Sequence, residues 1–413
     1  MIQKITLYQP QTLVFGRDCA KDCGPYLRRA GIRRAMVVTA PPTRQLAATL
    51  AETILQEGLK VEIYDGVDKE PTITIFKLAL DAGRDFQPDA VVGVGGGSAL
   101  DVAKLVAALA DTSQSVEDCF GIDLLNGRSR LLACLPTTAG TGSEVSPNAI
   151  LLDESARLKK GVVSRYLVPD ASFVDPMLTL SVPPAVTAAT GLDALTHCIE
   201  AYTNRFAHPM VDLYALAGIR LIAGNLARAV ADGLRIEARE HLALGSLYGG
   251  ICLGPVNTAG VHALAYPLGG EFHIAHGISN AVLLPHVMNF NLPVSPERFA
   301  EVAIALGAEE QSSALETARR GVARIHELAR QCGVPMSLAD LQVPRSAVPG
   351  MAEAAMQVQR LLKNNPRPLT AADAAAIYES AFEPHGRTSS AEEAPNAIES
   401  AAVSSSAKDE GRR

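Results

Sequence analysis

The sequence predicts an α/β half built on a mostly parallel sheet, followed by a half made only of helices. Short β-branched runs alternate with helical periodicity in the first third, and strand patterns disappear after Pro183-Pro184. The length of 413 residues suits two domains better than one. We therefore expect an α/β domain over residues 1–182, an all-helical domain over residues 183–385 and a disordered tail, rich in Ser, Ala and Glu, over residues 386–413.

Strands of the first half are expected where apolar, β-branched runs lie between helical segments. Such runs are Met36–Thr39, Val61–Tyr64, Ala90–Val94, Leu131–Leu135, Ala149–Leu152 and Ser172–Val174. From Ala185 to about Phe382 the chain is rich in Ala and Leu, broken by Gly and Pro, and lacks period-two alternation, which predicts helices. The helix expected near His241–Cys252 carries many small residues, which allow close helix packing.

Composition and charge narrow the class of protein. Hydrophobic residues make up 48% of the chain and charged residues 20%, which is typical of a folded globular protein. The net charge of -7 includes no Lys/Arg run, so neither a nucleic-acid partner nor a polybasic membrane surface is expected. Seven scattered cysteines without CxxC spacing indicate reduced thiols. Because neither a signal peptide nor a membrane-spanning run is recognisable, we expect a cytoplasmic protein.

A glycine-rich loop directly follows the third predicted strand. Residues 93–98 read Gly-Val-Gly-Gly-Gly-Ser and lead into a helical pattern whose next polar positions are Asp101 and Lys104. Backbone amides of such a loop can hold a pyrophosphate, and the helix N-terminus adds partial positive charge. Tight strand-to-helix turns also use glycine, and the pattern is not the standard GxGxxG, so this loop alone leaves both interpretations open.

A second polar loop, residues 136–143, follows the next predicted strand. It sets Thr137, Thr138 and Thr141 among glycines. Threonine hydroxyls can hydrogen-bond a diphosphate or a ribose, although an ordinary turn has a similar composition. Because ligands of doubly wound sheets lie outside the carboxyl ends of the strands, two such loops at consecutive strand ends favour a nucleotide site.

A carboxylate and several histidines have the pattern of a metal site. Asp193 and His197 are four residues apart in a helical segment, so both side chains leave the same helix face. His262, His273 and His276 lie together in a later stretch that is poor in other charged residues. One carboxylate and three imidazoles suit a divalent cation that polarises a substrate oxygen so that hydride can leave the adjacent carbon. The alternative is a set of core histidines, each satisfied separately.

Four segments, in this order, resemble the iron-containing alcohol dehydrogenase family. They are GGGSALDVAK from Gly95, PTTAGTGSEV from Pro136, ATGLDALTHCIEAY from Ala189 and HALAYPLGGEFHIAHGISNAVLLPHV from His262. The resemblance extends to about residue 383 and implies an N-terminal Rossmann-like dinucleotide-binding domain and an all-helical metal-binding domain. This is the architecture of dehydroquinate synthase, with the active site between the domains. A homodimer is also implied.

The resemblance further implies roles for individual residues. The metal ligands fall on Asp193, His197, His262 and His276. The cofactor-binding positions fall on Gly96, Gly97, Ser98, nearby Asp101, Thr137, Thr138, Thr141 and, near the ribose, Lys159. The metal implied is Fe(II), although the same donors accept Zn(II) or Ni(II).

Three positions depart from the family pattern. Tyr266 stands where many members carry a second histidine near the nicotinamide, and tyrosine is a poor base at neutral pH. We therefore expect His273 either to take over proton transfer or to make an indirect hydrogen bond. Ala40 replaces an Asp that is common in NAD-preferring members, so that Arg44 is free to pair with the 2'-phosphate of NADP. Glu70 has the opposite effect, because its carboxylate disfavours an extra phosphate. NAD remains the favoured cofactor.

The function expected from these features is reversible hydride transfer between a small alcohol or aldehyde and NAD(P). One alternative is a hydroxyacid-oxoacid transhydrogenase, in which a bound nicotinamide serves two substrates. Another is a metal-dependent lyase of the dehydroquinate synthase type, which is disfavoured because the helical half lacks a Lys/Arg cluster around its histidines. Asn148, Phe206 and Leu253 are candidates for lining the substrate pocket, and the alcohol itself is not identified.

Overall fold

The computed structural model describes residues 2–68, 70–156 and 158–383. The tail expected over residues 386–413 lies outside the described residues. All seven cysteine thiols are free and buried.

The first half contains a six-stranded parallel sheet. Its strand order is β1-β9-β6-β4-β2-β3, and a separate three-stranded sheet has the order β5-β8-β7. The strands are β1 Thr12–Phe15, β2 Arg34–Thr39, β3 Lys60–Tyr64, β4 Ala90–Gly95, β5 Gly121–Ile122, β6 Leu131–Pro136, β7 Asn148–Asp153, β8 Leu158–Val163 and β9 Ala171–Val174.

Helices cover both faces of the larger sheet. They are α1 Cys23–Arg29, α2 Arg44–Gln56, α3 Ile73–Phe86 and α4 Gly97–Leu109. Alternate β4 residues face opposite layers, as expected for a strand buried on both sides. Val91 packs with Phe76 of α3 and Leu105 of α4, whereas Val92 belongs to the core on the other face, with Leu50 of α2.

The register of the central strands brings the two polar loops together. Strands β4 and β6 are parallel neighbours, and Gly95 at the end of β4 pairs with Pro136 at the end of β6. The loops that follow these strands therefore leave the same edge of the sheet, side by side. This is the position at which doubly wound sheets bind ligands.

The smaller sheet was not predicted. All six predicted strands exist, but β7, at Ala149–Leu152, pairs antiparallel with β8 rather than joining the parallel sheet. Strands β1, β5 and β8 were missed. Strand β8 reads Leu-Lys-Lys-Gly-Val-Val, in which the adjacent lysines and the glycine hide the alternation that marks a strand.

The second half is helical throughout its described residues. Its helices are α5 Pro184–Tyr202, α6 Pro209–Ala231, α7 Ile236–Leu253, α8 Gly260–Phe272, α9 His276–Asn291, α10 Pro296–Ala305, α11 Ala314–Gln331, α12 Val348–Met356, α13 Gln359–Leu362 and α14 Ala371–Ser380. Proline starts α5, α6 and α10, as its fixed φ favours. Pro267 and Pro285, however, lie inside α8 and α9, where a helix end was expected.

Helix α6 is, by length and composition alone, apolar enough to cross a membrane. In this fold it packs against α5 and α7. It contributes Ile219, Ile222 and Leu226 to the buried core of the helical half.

Candidate metal centre and cofactor cleft

Three helices bring the proposed metal ligands to one point. Asp193 and His197 leave the same face of α5, His262 lies in the first turn of α8, and His276 begins α9. Asp193, His197 and His262 are buried, and the side chain of His276 is 30% exposed. The cluster is thus reached from the side of His276.

The distances from Asp193 are close to those around a tetrahedral ion. Asp193 Oδ1 lies 3.9 Å from His197 Nε2, 3.6 Å from His262 Nε2 and 3.7 Å from His276 Nε2. Metal–nitrogen bonds of about 2.1 Å in a tetrahedral site place neighbouring ligand atoms about 3.4 Å apart. The ligand atoms of Asp193, His262 and His276 all lie within 4.8 Å of one another, whereas His197 adjoins this group through Asp193. The donors have the chemistry of a divalent transition-metal site.

Asn280 joins this cluster from the second turn of α9. Its Nδ2 lies 2.7 Å from Asp193 Oδ1, 3.1 Å from His262 Nε2 and 3.2 Å from His276 Nε2. The role of each imidazole nitrogen in these contacts depends on its tautomer. The contacts show that the carboxylate oxygen and the two imidazole nitrogens face a common centre.

Glu200 holds His262 in place from behind. Its Oε2 lies 2.5 Å from His262 Nδ1, and its Oε1 accepts a hydrogen bond of 2.6 Å from the Val261 backbone N–H. Because Nδ1 faces this carboxylate, Nε2 points to the centre of the cluster. A carboxylate behind a histidine ligand is the usual way to fix its tautomer and orientation.

The protonation states follow from burial and from the carboxylates. Burial raises the pKa of Asp193, but the surrounding imidazoles outweigh burial and hold that pKa well below its usual range. Burial lowers the pKa of His197 and of His276. Burial also opposes the charged form of His262, but Glu200 and Asp193 together raise its pKa to about 9. Asp193 is therefore ionised, and His197 and His276 are neutral, which are the forms that bind metal.

The first glycine loop runs from the end of β4 into α4. Gly96 caps α4 in an extended conformation, and Gly97 and Ser98 form the first turn. A Cβ atom at Gly97 would lie 2.6 Å from Thr141 Cγ2 of the second loop. The two loops are thus packed so closely that only glycine fits between them, with helix amides directed outward.

Asp101 and Lys104 fasten these loops from inside the protein. The Asp101 carboxylate accepts hydrogen bonds from Ser143 Oγ at 2.5 Å and from the Ile150 backbone N–H at 2.9 Å. Lys104 is fully buried, and its Nζ donates to the carbonyl oxygens of Ser146 at 2.9 Å and Asn148 at 2.8 Å. Both residues therefore connect α4 to the segment that follows the second loop.

A cleft joins the loops to the metal cluster. All four proposed metal ligands line it, and so do five of the proposed cofactor-binding residues, namely Gly97, Ser98, Asp101, Thr141 and Lys159. Three others lie beside it rather than on its wall. Gly96 precedes the first turn of α4. A Cβ atom at Gly96 would lie 3.4 Å from Thr138 Oγ1, so these two residues are neighbours, and Thr137 is buried.

The structure separates the two residues proposed for proton transfer. Tyr266 lines the cleft, and its ring centroid lies 6.3 Å from that of His276. His273 is exposed at the end of α8, in a left-handed conformation with φ of 55°, and is not among the residues that line the cleft. The expectation that His273 reaches the reacting atoms is therefore not supported by its position. Its role stays a prediction to be tested.

The cleft also contains residues that sequence reasoning missed. Arg360 of α13 lines it next to Tyr266, and its Nη2 lies 3.5 Å from the tyrosine hydroxyl oxygen. Lys159 forms an ion pair with Glu70 inside the cleft. Of the three pocket candidates, Asn148 and Leu253 line the cleft, but Phe206 does not and is 42% exposed, so that assignment was wrong.

Comparison with known proteins agrees with this geometry. Two family models match the chain: iron-containing alcohol dehydrogenase over residues 10–176 and the C-terminal part of the Fe-containing alcohol dehydrogenase family over residues 187–382. Long-chain-alcohol dehydrogenase 1 of Geobacillus thermodenitrificans is 43% identical over 372 residues, which cover 87% of this chain and 94% of the relative. The 1,3-propanediol dehydrogenase of Klebsiella pneumoniae is 37% identical over 378 residues, which cover 90% and 97%.

Comparison with solved structures finds relatives of the same kind. A crystal structure of 1,3-propanediol oxidoreductase superposes with a TM-score of 0.89 at 36% identity and covers 92% of this chain and all of that one. Membership of this family implies a metal and NAD(H), and it makes the lyase interpretation unnecessary. The α/β half with its helical metal-binding partner confirms the predicted fold class. The chain therefore belongs to the iron-containing alcohol dehydrogenase family and is an oxidoreductase that interconverts alcohols and aldehydes.

Proposed function

We propose that this chain transfers hydride between NAD(H) and a small alcohol or aldehyde in the cleft between its two halves. The observation that carries the proposal is the convergence of Asp193 Oδ1 with three imidazole nitrogens within 3.9 Å, in a cleft whose opposite wall contains two glycine loops. Asp193, His197, His262 and His276 hold the metal, which when bound polarises the substrate oxygen.

The first half binds the cofactor in this proposal. The amides of Gly96, Gly97 and Ser98 at the start of α4 hold the pyrophosphate, and Thr138 and Thr141 of the adjacent loop hydrogen-bond its oxygens. Asp101 holds the second loop from inside through Ser143, and the Thr137 backbone N–H donates to the Gly95 carbonyl oxygen at 2.9 Å. Lys159 lines the cleft, where it is paired with Glu70, and in this proposal it serves the ribose. The domain division at residue 182 is part of the proposal, and a short 3-10 turn at Pro176–Thr179, before α5, supports it.

NAD is the preferred cofactor in this proposal. The guanidinium that was expected to accept a 2'-phosphate, that of Arg44, is already paired with Asp65 at 2.5 Å. Asp65 follows β3 and Ala40 follows β2, and these two strands are parallel neighbours. Asp65 therefore supplies a carboxylate at the same edge of the sheet as Ala40. Glu70 adds a second negative charge in the cleft. Each carboxylate disfavours an additional phosphate.

Tyr266 is proposed as the polar side chain of the cleft wall that contacts the substrate or the nicotinamide. Its position in the cleft supports this role, whereas His273 is exposed outside it. Tyr266→Phe should lower kcat if the hydroxyl orients substrate or nicotinamide. His273→Ala should leave kcat within about twofold, as expected for a surface substitution. A larger loss in His273→Ala than in Tyr266→Phe would return proton transfer to the histidine.

We propose that the metal is Fe(II), that the chain forms a homodimer and that it is located in the cytoplasm. Family membership supports iron, and the donor set also accepts Zn(II) or Ni(II). Seven free, buried thiols suit a reducing compartment.

Metal analysis combined with steady-state kinetics tests the proposal. The protein is purified anaerobically, its metal is measured, and oxidation of NADH and NADPH is followed with short aldehydes. His262→Ala should lose both metal and turnover. His208→Ala, which removes a buried histidine at the N-cap of α6, should keep both. Metal-free wild-type protein of full activity would refute the assignment, and hydride exchange between two substrates without free cofactor would indicate the transhydrogenase.

A further inference from the structure

Two long basic side chains line the cleft, and only one of them has a carboxylate partner. Lys159 is paired with Glu70. For Arg360, no carboxylate lies within 4 Å of the guanidinium among residues 2–68, 70–156 and 158–383. Its hydrogen bond is a long one, 3.5 Å from Nη2 to the Tyr266 hydroxyl. The guanidinium therefore keeps most of its donors available to a ligand.

The position of Arg360 is fixed by its surroundings. It lies in α13 between the cleft and the buried side chains of Leu361 and Leu362. The next segment is tied down by hydrogen bonds from Asn364 Nδ2 to the Thr258 carbonyl oxygen and from Asn365 Nδ2 to Asn291 Oδ1, both 2.8 Å.

The small sheet leaves room for this guanidinium. A Cβ atom at Gly161 of β8 would lie 3.2 Å from Arg360 Nη2, so the guanidinium rests against a stretch of strand that has no side chain. A charged group that is partly buried in an enzyme cleft without a partner is costly unless a ligand completes it. The arrangement has the form of a preorganised anion site.

The neighbours of Arg360 indicate which ligand this site serves. Arg360 Nη2 lies 3.5 Å from the Tyr266 hydroxyl oxygen, and the Tyr266 ring centroid lies 6.3 Å from that of His276. Gly97, Ser98 and Thr141 of the proposed phosphate loops line the same cleft. Apolar side chains, Ile150, Leu152 and Leu253, line the space around them. A molecule that fills this space has a reacting carbon at the metal, a short apolar chain, and a polar end at the guanidinium.

We propose that Arg360 binds an anionic group at the far end of the substrate, so that the preferred substrate is a short aldehyde, or the corresponding alcohol, that carries a carboxylate. This inference rests on the proposed function and adds a substrate class to it. Guanidinium binds carboxylate through two parallel charged hydrogen bonds, and sulfonate or phosphate through the same donors.

Kinetics with a matched pair of aldehydes test this assignment. Succinic semialdehyde carries the carboxylate, and pentanal is a neutral molecule of similar length. For Arg360→Gln, kcat/KM for succinic semialdehyde should fall about 10- to 100-fold, mainly through KM, because a charged hydrogen bond is lost. The values for pentanal and the KM for NADH should stay within twofold, and Arg360→Lys should recover part of the loss. Arg345→Gln removes an exposed arginine that pairs with Glu379 and should change none of these values.

Several results would overturn the inference. One is an equal loss of kcat/KM for both aldehydes in Arg360→Gln. Another is a raised KM for NADH in this variant, which would show that Arg360 binds the cofactor. A third is a higher kcat/KM of the wild type for pentanal than for succinic semialdehyde. Aldehydes that carry sulfonate or phosphate, measured in parallel, identify which anion fits best. If no aldehyde reacts, the proposed function fails, and calorimetry with butanoate then tests the anion site separately. Tighter binding of butanoate to the wild type than to Arg360→Gln supports the site, and equal binding refutes it.

Discussion

Replacing Glu200 by Gln is expected to weaken metal binding while preserving the fold. The Glu200 carboxylate receives two donors, the backbone N–H of Val261 at 2.6 Å and the Nδ1 of His262 at 2.5 Å. A glutamine has nearly the same shape but only one acceptor oxygen, so its NH2 group must face one of these two donors. His262 then loses either its orientation or the tautomer that directs Nε2 to the metal.

The size of the effect follows from the role of the contact. Loss of a partner behind a histidine ligand typically costs 10- to 100-fold in metal affinity. This range corresponds to about 1.4 to 2.8 kcal/mol of binding free energy. It should appear when Zn(II) is titrated into the metal-free protein in competition with a chelator of known affinity.

A matched variant separates this effect from general destabilisation. Asp212→Asn removes a carboxylate from α6 that pairs with Arg298 at 2.6 Å, away from the cleft, and should leave Zn(II) affinity unchanged. Wild-type affinity in Glu200→Gln, combined with loss of binding in His262→Ala, would refute the claim that the carboxylate orients this ligand.

Three further substitutions test the cofactor half. Lys104→Met removes the donor to the carbonyl oxygens of Ser146 and Asn148 and should cost about 1 to 3 kcal/mol in the free energy of unfolding, measured with urea; a loss well below about 1 kcal/mol would contradict this role. Gly142→Ala should lower Tm and raise the KM for NADH, because φ is +60° and the new Cβ would lie 2.2 Å from Gly250 Cα; unchanged values would show that the loop can move aside. Asp65→Asn should raise kcat/KM for NADPH relative to NADH several-fold by freeing Arg44, and an unchanged ratio would exclude this pair from cofactor choice.

The sequence revealed those parts of the site that depend on local spacing. Asp193 and His197 could be paired because helical residues four apart share a face, and the glycine loops could be placed because each follows a buried strand. Their convergence with His262 and His276 depends on how α5, α8 and α9 pack. Local patterns contain no information about such packing, so the grouped histidines could only suggest a metal site, and the family resemblance assigned the four ligands.

The residues that were missed act over long sequence separations or through backbone shape. Glu200 follows His197 by three residues on α5, and that spacing was the available signal for a supporting carboxylate. Arg360 is 84 positions beyond His276 and enters the cleft only because α13 packs against α8. His273 lies three residues before His276, but it occupies the left-handed turn between α8 and α9, where its side chain is exposed and does not line the cleft.

Close contacts through α7 connect the second loop to α5, which holds two of the proposed metal ligands. Gly142 of the second loop touches Gly250 of α7, and a Cβ atom at the neighbouring Gly249 would lie 3.3 Å from His197 Cβ on α5. The spacing between the loop and this ligand is therefore set by main-chain thickness rather than by side-chain size. Substitutions on the cleft wall, such as at Arg360, can then change which alcohol binds while the separation between the cofactor loop and the ligand stays constant. Substrate range can therefore diverge among related proteins without a change in the geometry of hydride transfer.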